Sequence, residues 1–98
     1  MTEAQAKAEG IDVAVSRVPI GVSGRAATLG ASMGLTQMVA DKQDGTVLGV
    51  HLVGPHASEL IAEAALAIEL GATAEDISLT IHPHPTLSEQ IAISAHGI

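Results

Sequence analysis

The chain has 98 residues, 47% of them hydrophobic, which is enough for one core; a chain of this size buries between about 60% and 70% of its unfolded surface. Its formal charge of −7 comes from 11 acidic against 4 basic side chains. The scattered Lys7, Arg17, Arg25 and Lys42 form no basic patch to neutralise phosphates, so nucleic acid is not an expected partner. No apolar run approaches the roughly 20 residues of a membrane span, and the acidic start Met1-Thr2-Glu3 is unlike a secretory signal, so a cytoplasmic protein is expected.

Thr2 to Glu9 is Ala-rich and ends at Gly10, the pattern of a short helix with a glycine stop. Ile11, Val13 and Val15 alternate with Asp12, Ala14 and Ser16, the period of a half-buried strand. Ser23-Gly24-Arg25 is a turn signal, and glycines at 21, 24, 30 and 34 mark an irregular connection. Two further strands are predicted, from Leu35 to Asp41 and from Thr46 to Val53. Between them lies Lys42-Gln43-Asp44-Gly45, with the Asp-Gly step that favours a hairpin.

Helices follow the strands. Gly54-Pro55 opens one that continues from Ala57 to Leu70 and stops at Gly71, since proline is tolerated in a first turn. Leu60, Ile61, Ala64, Ala65 and Ile68 fall on one broad face. Thr73 with Asp76 has the form of a capping box for a second helix to about residue 80. Thr86 with Glu89 repeats that form and opens a third helix to about residue 95, with Gly97 as its stop. Strands followed by helices predict an α+β domain, an antiparallel sheet with helices packed on one face. A single domain over residues 1–98 is expected, with no internal repeat or linker.

The run His82-Pro83-His84-Pro85-Thr86-Leu87-Ser88-Glu89 places two imidazoles and a carboxylate close together in sequence. Imidazole titrates near neutral pH, so a His beside a Glu is a candidate general base. The simpler alternative makes His84 an exposed loop residue and Glu89 a helix cap. In an extended segment His82 and His84 point the same way, and with His51, His56 or Glu89 they could bind zinc or nickel. A His-x-His pair alone is a weak signal, and no metal is expected. Packing accounts for His51 and capping for His56, and His96 is expected at the surface.

Preceded by Leu66-Ala67-Ile68-Glu69-Leu70-Gly71-Ala72-Thr73-Ala74-Glu75-Asp76-Ile77-Ser78-Leu79-Thr80-Ile81, this run resembles the C-terminus of dihydrolipoamide dehydrogenase. That family belongs to the flavin- and nicotinamide-dependent disulfide oxidoreductases. The resemblance extends from roughly Ile11 to Ile93. It includes Ser23-Gly24-Arg25-Ala26 and Val47-Leu48-Gly49-Val50-His51-Leu52-Val53-Gly54-Pro55, and it matches the interface, or dimerisation, domain. It implies that His84 reaches the partner subunit's active site and acts as acid/base toward the cysteine that exchanges with dihydrolipoamide. Glu89, five residues on, hydrogen-bonds and orients that ring. The resemblance also implies a cis bond at His84-Pro85, a homodimer, and FAD and NAD as cofactors of the parent enzymes. Arg25 falls in a loop near the subunit interface, or is a solvated turn residue. Pro83 replaces a small residue and stiffens the loop.

The chain lacks much of what such enzymes need. It has no Cys, so thiol–disulfide exchange cannot occur on it. The glycine pairs Gly21/Gly24 and Gly30/Gly34 lack the spacing of a dinucleotide-binding turn. No enzymatic activity, cofactor or small-molecule substrate is therefore expected of the chain alone; the leading reading is a self-associating interface domain. The alternatives are a fragment that contributes the His84 acid/base to a flavin-dependent dehydrogenase supplied with its other domains, and a His-based metal-binding module. Phe, Tyr, Trp, Cys and Asn are all absent, with Ile20 and Leu35 where the family often has phenylalanine. That pattern points to a designed or restricted-alphabet version, against a natural Ala-rich fragment.

Overall fold

A computed structural model describes residues 1–19 and 34–98. Three strands, β1 (Val13–Pro19), β2 (Leu35–Asp41) and β3 (Val47–Val53), form one antiparallel sheet in the order β1-β2-β3. The central position of β2 explains why Thr36, Met38, Val39 and Ala40 are all fully buried. The two-residue period of a strand sends alternate side chains to opposite faces. Ser16, Met38 and Val50 stand in register on one face, and Val15, Val39 and Gly49 on the other. The pairing slips between Val39 and Ala40, so that Ala40 faces Val47. This bulge at Leu48 lets Val47 and Val50, an odd number of residues apart, both enter the same core.

The Asp-Gly turn forms as expected. Gly45 adopts a φ of 80°, and the Asp44 carboxylate accepts from the Thr46 N–H at 2.9 Å. The tip then docks on later chain: Val47 donates to the Ala72 carbonyl and Ala74 to the Gly45 carbonyl, each at 2.9 Å.

Helix α1 spans Glu3–Ala8, α2 Ala57–Glu69, α3 Ala74–Leu79 and α4 Glu89–His96. The three later helices pack on the Met38 face, where Met38, Val47 and Val50 meet Ala64, Ala67, Ile77, Ile91 and Ala95. Small alanines let α2 approach the sheet closely. Helix α1 lies against the second face: Ala6 is fully buried, Glu3 pairs with Arg17 at 2.8 Å, and the Met1 amine donates to the Leu48 carbonyl at 3.1 Å. A side chain at Gly49 would collide with the Met1 carbonyl.

Several boundaries differ from the sequence reading. β1 begins at Val13 and runs on to Pro19, leaving Ile11 outside, its N–H bound to the Ala6 carbonyl. α2 starts at Ala57, after His56 in the left-handed region at φ 59°, so Pro55 precedes the helix. α2 also buries a narrower stripe than its sequence suggested. Ala64 and Ala67 are buried, whereas Ile61, Ala65 and Ile68 are exposed, because the helix is apolar around most of its circumference and the sheet covers only one side. α4 begins at Glu89, with Leu87 and Ser88 in the turn before it.

Candidate acid–base site

The site lies in the connection from α3 to α4, and each flank has its own tether. α3 is held by the reciprocal capping box read from the sequence. Thr73 Oγ1 accepts from the Asp76 N–H at 3.1 Å, and Asp76 accepts from the Thr73 N–H at 2.9 Å. At Thr86 and Glu89 the Glu89 carboxylate accepts from the Thr86 N–H at 2.8 Å, and the Thr86 hydroxyl donates to the Pro83 carbonyl at 2.6 Å.

Glu89 reaches His84 with the same carboxylate. His84 Nδ1 lies 3.0 and 2.9 Å from the two oxygens, and the His84-Pro85 bond is cis. A carboxylate only accepts, so Nδ1 carries a proton and points it at Glu89. The ring's other nitrogen, Nε2, has no hydrogen-bond partner among the described residues, and the His84 side chain is 73% exposed. Glu89 is held below its ordinary carboxylate range, chiefly by the His84 hydrogen bond and then by the Thr86 N–H, with partial burial opposing them. The arrangement is an oriented imidazole with one nitrogen tied back and the other presented outward.

The remaining candidates lie apart from this pair. His82 does not point with His84: its side chain is 7% exposed and its Nε2 stands 2.5 Å from Glu63 Oε2 on α2. Sequence reasoning missed this partner, because no local spacing signals a contact across 19 positions. His51 faces the Met1 carbonyl at 3.3 Å, His56 precedes α2 without a side-chain cap, and His96 is exposed in the last turn of α4. Among the described residues no three His, Asp or Glu side chains gather as metal ligands. Arg25 and the Ser23-Gly24 turn fall outside the described residues, as do Gly21 and Gly30. The strand–turn–helix passage from β3 to α2 carries a single glycine, Gly54, followed by Pro55. The dinucleotide-binding fingerprint uses several glycines for close backbone approach, and this turn does not have them. No helix of the described residues is long and apolar enough to cross a membrane.

A three-stranded antiparallel sheet backed by helices, with a His–Glu pair on the final connection, places the chain among disulfide oxidoreductase interface domains. Residues 1–95 match the family described as pyridine nucleotide-disulphide oxidoreductase, dimerisation domain, and the chain belongs to that family. Its sequence is 51% identical to dihydrolipoyl dehydrogenase of Thermus scotoductus over 98 residues, all of this chain and 21% of that enzyme. It is 54% identical to the dihydrolipoyl dehydrogenase of Halobacterium salinarum over 89 residues, 91% of this chain and 19% of that one. The chain thus spans about a fifth of the length of the curated relatives it matches. The structure superposes on the HOCl-induced flavoprotein disulfide reductase RclA of Escherichia coli with a TM-score of 0.92 and 25% identity, covering 98% of this chain and 22% of that one.

Proposed function

We propose that residues 1–98 form one interface domain of the dihydrolipoamide dehydrogenase type. It pairs with a second copy of itself and carries His84 and Glu89 as an acid–base pair that is idle without the rest of the enzyme. The observation that carries this reading is the tie from His84 Nδ1 to both oxygens of Glu89, which leaves Nε2 outward. Opposite a thiol, Nε2 would take the sulfur-bound proton as the thiolate forms, and would return it when the thiolate leaves. These 98 residues include no Cys to serve as that thiol, so the reaction needs sulfur from outside them.

Self-association is supported by apolar surface that the single chain leaves open. Leu66 on α2 and Leu70, just past the end of that helix, are 59% and 74% exposed, and Ile81 beside the site is 92% exposed. Such surface is costly in an isolated monomer, and obligate pairs commonly bury more than about 2,000 Å². The core without aromatics, built around Met38, Val39, Val47 and Ile91, supports the reading of a restricted-alphabet version of the domain.

Light scattering across a dilution series tests the pairing. A dimer at micromolar concentration is expected, with thermal stability rising with protein concentration; a monomer mass at every concentration overturns it. NADH-linked lipoamide reduction should be undetectable with the chain alone, with or without added flavin. Turnover there would favour the working-fragment alternative.

A further inference from the structure

The His82 side chain is enclosed although it stands two residues from the exposed His84. Its Nδ1 lies 2.9 Å from the Thr80 carbonyl and its Nε2 lies 2.5 Å from Glu63 Oε2. The carbonyl only accepts, so Nδ1 faces it as a donor, while Nε2 meets the Glu63 carboxylate. The His82 side chain is shielded from water while Glu63 stays partly exposed, so the contact is screened less than one between two exposed side chains. Glu63 is itself well placed to anchor a loop. It adjoins Ala64 on α2, and Ala64 and Ala67 fix that helix to the core.

The segment between α3 and α4 has no helix or strand of its own through residue 86. Its tie to α4 is Glu89, which holds both the His84 ring and the Thr86 N–H. Its tie to α2 is His82. We propose that the His82–Glu63 pair is a latch that positions His84, setting where the ring stands relative to α2 and the core while Glu89 sets its orientation. His82 and Glu63 are thereby positioning residues rather than catalytic ones. The inference rests on reading His84 as the acid–base group, but its test reads the placement of the ring and not turnover, so failure of either leaves the other measurable.

The test uses NMR of the 15N-labelled chain with Glu63→Ala and Glu63→Gln. Alanine removes the tie at a partly exposed helical position, whereas glutamine can donate its amide to a neutral His82 and preserve it. In E63A the order parameter of the His84 amide should fall from about 0.85 to below about 0.6. The ring 15N signature of the His84 contact with Glu89 should be lost, while the sheet amides and the Thr73 cap keep their shifts. E63Q should restore both readouts. If E63A folds and His84 keeps its order and its ring signature, the latch is refuted. Should E63A fail to fold, His82→Ala, which leaves Glu63 no donor at that position, is read in the same way: lowered order at His84 supports the latch and unchanged order overturns it.

Discussion

Glu89 is the residue on which local stability and proposed chemistry converge, since one carboxylate holds the His84 ring and the first amide of the turn before α4. Its folded-state pKa lies below the ordinary 4.5. A carboxyl depressed in this way adds stability that is fully present above the unfolded value and is lost as pH falls through the folded one. Glu89→Gln should therefore be less stable than the parent at neutral pH, and the gap should close on acidification below 4.5. Urea melts taken stepwise from neutral to acidic pH measure this; parallel curves for the two proteins would reject it. Gln90, next along the chain, is fully buried and donates to the Val18 and Pro19 carbonyls at 3.0 and 3.1 Å. Gln90→Leu leaves both carbonyls without that donor and should cost about 1–3 kcal/mol, read as a lower urea midpoint with an unchanged slope.

The helices differ in how they begin, and their stabilities should follow. α3 is only six residues long, so its start depends on the capping box, and Thr73→Ala should cost about 1 kcal/mol. Amide exchange should quicken in α3 before it does in the sheet. α2 begins on His56 in the left-handed region with no side-chain cap. A non-glycine residue there carries a steric cost of roughly 1–2 kcal/mol. Replacing His56 with Gly removes that cost and should stabilise the domain by about 1 kcal/mol, provided the helix start does not move. A lower melting temperature in H56G would show that the imidazole makes a compensating contact. The capping box at Thr73 was legible in sequence because both partners lie within one turn. The bond from the Thr86 hydroxyl to the Pro83 carbonyl was not, because it depends on how the chain bends between His84 and Thr86.

For the whole molecule the decisive quantity is the apolar surface of α2. A helix apolar around most of its circumference expects burial on more than one side, and the sheet covers the side bearing Ala64 and Ala67. A second copy seated on the opposite side would account for Leu66 and Leu70 being exposed in the single chain. Leu66→Glu combined with Leu70→Glu should shift the population to monomer without altering the fold, since neither side chain enters the core. Sedimentation with circular dichroism separates the outcomes: a dimer that survives both charges places the interface elsewhere.

Local signals carried the architecture from sequence. The alternation in Val13 to Val15, the Asp44-Gly45 step, the Thr73–Asp76 box and the stops at Gly10 and Gly71 each act within a few residues, so each can be read without knowing the fold. The family motif at His84-Pro85-Thr86 likewise lies within one stretch of chain. Contacts between distant segments belonged to the tertiary structure alone. His82 pairs with Glu63 across 19 positions, and Gln90 reaches Val18 across 72. α1 closes the second face of the sheet through Glu3 and Arg17. None of these has a periodic or local signature, because each follows from which surfaces meet once the core has formed.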